Sequence, residues 1–319
     1  MRHPIIPELH RAYRKYLLFL RDGGTRPALS RHVHNPEHSR GMLHPSSFGK
    51  CPLQEAWRRE GMERAWEQKP WEREGMYHLM EQGSRVAEVV QEAFLWAYGA
   101  CETPERDRQI SLERTSWHQD TFFIDEYSQH DESLGIRGRI DGLLRLNNEF
   151  YLLEMKARNP HVGPKLSDAY QLMTYMLSTG ENTGLIITIH RFSIKFWWLF
   201  PNNGGFTIVN EWGDRYDQDW NTPDTLNFDL LQQEISVYRQ YVFGGKRLTP
   251  IEDPYNHPRG WCCFMWDQRP RHNKTTVSRT GTIKPRCEFF HLCHGEPDTI
   301  EVMVDAEGYM TAVGEEIEF

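Results

Sequence analysis

The feature that most constrains the fold lies in the middle of the chain. Two strand-like runs, IRGRIDGLLRL (136–146) and EFYLLEMKA (149–157), are separated there only by Asn147 and Asn148. Two polar residues between such runs signal a β-hairpin, because asparagine tolerates the left-handed backbone that a two-residue turn demands. Charges inside the apolar strands are the second constraint. Asp141 stands between Ile140 and Gly142, and Glu154 and Lys156 interrupt YLLEMKA. Charge in a buried-type strand is costly unless it serves something. Glu154 and Lys156, two apart on one strand, point to the same face, and hairpin pairing lets Asp141 share it.

On either side of the hairpin the period is helical. Apolar positions recur at helix spacing over 8–20, where GGTRP ends the pattern and opens a His-rich connection to about residue 45. Ser46 or Ser47 could begin a helical region that places Cys51 near its start, and a longer helix is expected from about Met76 to Ala97. An amphipathic helix at about 165–179, strands at 183–192 and 194–200, and a helix at 224–243 follow. Helix, strands, helix, strands, helix predicts an α/β fold with a mixed central sheet flanked by helices. The boundaries expected are an N-terminal helical arm over 1–45, a main domain over 46–293 and an acidic tail over 294–319.

Net charge is −8, which argues against a generally basic nucleic-acid coat, yet the charge is uneven. Residues 1–50 hold nine lysines and arginines against three acids, and 259–286 hold seven against Asp267 alone. The stretch from His294 to Phe319 carries eight acids and no lysine or arginine. The two basic segments could meet phosphate and the tail would repel it, although charge runs are as often plain solvated faces. No run approaches the ~18–20 apolar residues of a membrane helix, so no membrane association is expected. Arg11, Arg14 and Lys15 interrupt the apolar stretch that a signal peptide would need, so a cytoplasmic location with reduced thiols is expected.

Several carboxylates held together suit a hard divalent cation, which neutralises a phosphodiester's transition state and supplies hydroxide near neutral pH. A lysine beside them can orient or deprotonate the attacking water and steady developing negative charge. By spacing alone, a surface hairpin with a salt bridge would read the same way.

Gly138-Arg139-Ile140-Asp141-Gly142, then Glu154-Met155-Lys156, then Gln171 and Tyr175, resemble the successive motifs of RecB-type nucleases in the PD-(D/E)xK superfamily, across about 46–200 and again near 262–293. The resemblance implies a restriction-endonuclease-like core in which Asp141 and Glu154 bind Mg or Mn and Lys156 is catalytic. Gln171 and Tyr175 would steady the site or contact DNA. The family's metal-binding histidine in the preceding helix is absent, since Gly83-Ser84-Arg85-Val86 leads to Ala87. Glu88 follows directly and is nominated as the substitute ligand, with a solvent-facing glutamate as the plain alternative.

One branch of these nucleases, including CRISPR-associated and AddB-type exonucleases, joins one N-terminal cysteine to three near the C-terminus around a 4Fe-4S cluster. Ser47-Phe48-Gly49-Lys50-Cys51-Pro52 resembles the context of the first ligand, and Cys287 with Cys293 the last pair. Trp261-Cys262-Cys263 is compatible with the remaining one, and Cys263 is favoured over Cys262. Four thiolates would also accept zinc, and free buried thiols are the plainest alternative. The insertion at about 264–286 is then a candidate DNA-contacting loop.

The function these readings imply is metal-dependent cleavage of DNA, on single strands or duplex ends, in recombination, repair or replication. The alternatives are a DNA-binding adaptor with a weakened site and a CRISPR spacer-acquisition nuclease. Of the eleven tryptophans most are expected in the core, at least one of Trp197 and Trp198 among them. His3, His10, His32, His34, His38 and His44 share no ligand spacing and read as solvated arm residues.

Overall fold

The computed structural model describes residues 3–29, 42–48, 52–62, 70–101, 119–159, 162–190, 193–243, 302–304 and 310–312. The chain divides into two compact units. The first comprises Met1–Phe48 with Pro70–Arg239, and the second Gly49–Lys69 with Gln240–Phe319.

The first unit is built on a six-stranded sheet in sequential order, β1 (Phe122–Asp131), β2 (Ile136–Leu146), β3 (Glu149–Ala157), β4 (Gly184–His190), β5 (Ser193–Asn202) and β6 (Gly205–Asn210). All neighbouring pairs are antiparallel except β3 with β4, which α4 (Leu166–Thr179) joins as a crossover. The sheet is therefore mixed and the class α/β, as the order of sequence periods predicted. β4 is buried along its whole length, as a central strand covered on both faces must be.

The β2–β3 hairpin turns through Asn147 and Asn148, at φ 52° and 67°, the left-handed pair that this turn needs. α4 ends on Gly180 at φ 73°, a C-cap that glycine accommodates without a Cβ clash. At its start, Asp168 accepts the Lys165 N–H at 2.8 Å and pairs with Arg158. The helix is thereby fixed against the end of β3.

On one face of the sheet lie α1 (Ile6–Arg21) and α3 (Pro70–Tyr98). α1 buries Ile6, Leu9, Ala12 and Tyr16, one helical stripe, and the Tyr16 hydroxyl donates to Glu92 of α3 at 2.8 Å. Val90 and Phe94 of α3 join Phe123, Leu144, Leu153, Met155, Leu185, Ile187 and Phe196 from five strands in one core. α5 (Phe228–Val242) buries Leu231, Ile235 and Tyr238, and the Tyr238 hydroxyl donates to the Ser47 carbonyl at 2.8 Å.

Two sequence expectations need correction here. His3 and His10 are not solvated. His3 is buried with its ring edge-on to Trp198, centroids 4.3 Å apart, and His10 packs edge-on to Phe196 and pairs with Glu211. They face the sheet because α1 docks on it, a contact no local spacing could show. His32, His34 and His38 lie outside the described residues.

Of the second unit the described parts are α2 (Pro52–Glu60), where Glu55 pairs with Arg59 at 3.0 Å, and a short antiparallel pair, β7 (Val302–Val304) with β8 (Met310–Ala312). Among the described residues no helix is long and apolar enough to cross a membrane.

Candidate active site

The β2–β3 register carries Gly142 opposite Leu153, so the next cross-strand position sets Asp141 opposite Glu154 on one face of the sheet. The ladder between these strands is recorded no further than that pair, and the side chain of Asp141 takes over. Its Oδ2 accepts the Met155 N–H at 2.6 Å, satisfying a backbone donor in the strand that carries Glu154 and Lys156. Gly142 has a packing reason of its own, since a Cβ there would stand 2.7 Å from the Phe123 ring.

Glu154 is fully buried. Its Oε1 forms an ion pair with Lys156 Nζ, and Oε2 has no hydrogen-bond partner among the described residues. Lys156 also donates to Gln171 Oε1 of α4 at 3.2 Å, and about a quarter of its side chain is exposed (24%). The lysine is thus fixed from two sides and still reachable from solvent. Tyr175, one helical turn beyond Gln171, donates to the Arg139 carbonyl of β2 at 2.7 Å. A Cβ at Gly138 would lie 2.7 Å from that tyrosine oxygen and 2.8 Å from Pro45 Cδ, so the strand can approach the helix only without a side chain there.

Burial dominates the electrostatics. It raises the carboxyl of Asp141 to about 6, with Lys156 and the Met155 N–H pulling the other way. It raises Glu154 to about 8, helped by the charge of Asp141 and opposed by Lys156. For Lys156, burial favours the neutral amine, but the carboxylates of Glu154 and Asp141 outweigh it and hold the ammonium charged above its ordinary range. Tyr175 is pushed well above 10 by burial and by the same acids. Two acids that resist ionising beside a lysine that cannot lose its proton form a centre lacking positive charge.

Two residues absent from the sequence reading border this centre. Glu126 of β1 lies at the position opposite Asp141, between the pairs Asp125↔Gly142 and Tyr127↔Ile140. Its φ is 56°, a left-handed backbone inside a strand, which for a non-glycine residue costs on the order of 1–3 kcal/mol and accumulates at functional sites. Its carboxylate pairs with Arg139 at 3.2 Å and accepts from Gln91 Nε2 at 3.4 Å. Gln91 of α3 is buried and also donates to the Asp141 carbonyl at 2.8 Å. No motif marks Glu126 or Gln91. The β1–β2 register and the angle of α3 bring them here.

Of the residues chosen from sequence, Asp141, Glu154, Lys156 and Gln171 meet on this face, and Tyr175 supports it from behind Arg139. Glu88 is exposed on α3, one turn before Gln91, while Ala87 packs against the core. The α3 residue bonded to the site is Gln91. Among the described residues, no three His, Cys, Asp or Glu side chains are grouped so that they could hold a metal ion. Cys51, Cys263, Cys287 and Cys293 lie outside the described residues, as does the basic stretch 264–286. Trp198 packs against the core, and Trp197 donates to Thr188 at 2.9 Å, next to Lys156 in the sheet.

No protein-family model matches the chain, and no curated protein matches it. Among solved structures, the protein SSO0001 is similar over 78% of this chain and 88% of its own, at 10% identity and a TM-score of 0.34. An alkaline exonuclease, LHK-Exo from Laribacter hongkongensis, is similar over 66% of this chain and 89% of its own, at 12% identity and a TM-score of 0.35. Both likenesses are distant.

Proposed function

We propose that the chain is a metal-dependent deoxyribonuclease of the PD-(D/E)xK type, cutting single strands or duplex ends at the face formed by Asp141, Glu154 and Lys156. The observation that carries this reading is Glu154, a fully buried carboxylate with one oxygen unpartnered among the described residues, beside a second acid and a lysine. That donor set fits a hard divalent cation, because an orphaned buried carboxylate oxygen costs free energy until a cation or donor reaches it. Asp141 and Glu154 would hold Mg or Mn. When bound, the ion would supply charge neutralisation for the phosphate and acidify water.

The chain's own residues do the rest. Lys156 stays protonated, so it acts as a fixed cation and donor toward the scissile phosphate or the attacking water rather than as a base. Gln171 holds the ammonium in place from α4. Tyr175, bonded to a backbone carbonyl, fixes the strand that bears Asp141 and is a positioning residue.

Four cysteines also suit a 4Fe-4S cluster, and we assign it to Cys51, Cys263, Cys287 and Cys293 as a structural group. All four fall within the residue ranges of the second unit. About four irons per chain in anaerobically purified protein is the expected result, and zinc in their place would refute the assignment.

The test of the nuclease reading is release of label from end-labelled single-stranded and duplex DNA with Mg or Mn. Cleavage by the native chain and none by Asp141→Asn is expected. A second reading, a DNA-binding adaptor, draws on the lack of any ready three-ligand group among the described residues. Binding of the same DNA with no cleavage in either metal would establish it instead.

A further inference from the structure

Three acids from three adjacent strands stand side by side in this sheet: Glu126 on β1, Asp141 on β2 and Glu154 on β3. The registers fix the row. Glu126 takes the position opposite Asp141 between two intact pairs, and Asp141 takes the position opposite Glu154. Several bonds show that the Glu126 side chain is on the site's face. Arg139, which shares a face with Asp141 two residues on, pairs with Glu126 at 3.2 Å. One amide group, Gln91 Nε2, touches both the Glu126 carboxylate and the Asp141 carbonyl. The charge of Glu126 is also felt at Asp141 and at Tyr175.

A row of acids alone does not make a metal site. The independent observation is Glu154, fully buried in the same row, with Oε2 lacking any hydrogen-bond partner among the described residues. A buried anionic oxygen without a donor calls for a cation. Asp141 already spends Oδ2 on the Met155 N–H, which leaves the pair short of oxygens for a hard divalent ion. The helix contributes none in its place, because the α3 side chain bonded to the site is an amide and Glu88 points to solvent.

Resting on the reading of this face as a nuclease centre, we propose that Glu126 is the third carboxylate ligand of the divalent cation, supplied by the first strand rather than by the helix. Its carboxylate is 29% exposed and held by one arginine and one long hydrogen bond, so it is free to exchange Arg139 for the ion. The left-handed backbone at Glu126 is the strain expected where a side chain is aimed at a site against local preference. Gln91 then tethers the Glu126 head to the Asp141 backbone and keeps the two acids at a set separation.

The test is Mn binding by the full chain, freed of divalent ions with EDTA and titrated without DNA, with free Mn followed by its electron paramagnetic resonance. This readout does not depend on cleavage. Glu126→Gln is expected to weaken Mn binding by at least about tenfold, as Asp141→Asn does, and Glu88→Gln to change it by less than about threefold. Glu126→Gly is run in parallel, since glycine accepts φ 56° and keeps the experiment interpretable if the glutamine variant folds poorly. Melting followed by circular dichroism confirms that each variant is folded. Full Mn affinity in both Glu126 variants, with loss in Asp141→Asn, would overturn the proposal and leave the nuclease reading standing. A loss carried by Glu88→Gln alone would also overturn it. Unchanged binding in Asp141→Asn would sink the nuclease reading and this inference with it.

Discussion

Glu154 concentrates the chemistry of this protein in one carboxyl group. Folding lifts it from 4.5 to about 8, chiefly by burial, so the folded chain holds a proton that the unfolded chain has released. A raised folded value means that the proton-linked stability is present at low pH and lost as pH climbs through about 8. Between pH 6.5 and 9, metal-free protein should therefore lose on the order of 2 kcal/mol of unfolding free energy. Asp141, raised to about 6, has largely titrated below this window, and His3, lowered to about 4 by burial, acts in the opposite sense only below 6.5. Urea melts in EDTA measure the loss, and Glu154→Gln should flatten it. Equal stability of the native chain at both ends of the window would contradict the burial assigned to this group. At this scale the sequence was informative for a plain reason. Asp141, Glu154 and Lys156 break apolar strands, and such interruptions are visible without a structure. Glu126 and Gln91 were not visible, because their roles come from neighbours across the sheet and not from residues beside them in the chain.

Strands and helices show the same division. The β2–β3 hairpin, α4 and α5 were legible from period and turn residues to within a few residues at their ends. β1 was not: FFIDEYSQHD is apolar only at its start, and its second half is mostly polar and half-buried or exposed at the sheet edge. Missing β1 meant missing Glu126. β6 is short and follows the left-handed Asn203, which hid it in a polar stretch. The helix expected over 76–97 runs instead from Pro70, and its site-facing residue is Gln91 rather than Glu88. How closely these elements approach one another can be tested through Gly138. A Cβ there would collide with Tyr175 Oη and Pro45, so Gly138→Ala should cost about 1–3 kcal/mol and loosen the Tyr175 bond to the strand bearing Asp141. Thermal melts with tyrosine fluorescence check this, and a variant as stable as the native chain would show that the strand and helix are not in tight contact.

Across the whole molecule, the first unit contains the complete acid and lysine constellation, with strands β1 to β3 presenting it and α3 and α4 bracing it. The mixed sheet with a single parallel step puts Lys156 next to Thr188, and through it Trp197, which leaves an aromatic side chain two strands from the reactive centre. The cysteines lie in the residue ranges of the other unit, so the cation at the acids and the proposed cluster are separate chemical assignments with separate tests. The central claim concerns the lysine and is read most directly in one measurement: single-turnover cleavage of labelled single-stranded DNA in Mn by the native chain and by Lys156→Ala, with DNA binding measured alongside. Removing a preorganised charge at the reacting phosphate should slow cleavage by about 10²-fold or more while DNA affinity stays within a few-fold. Cleavage by Lys156→Ala at the native rate would contradict the account.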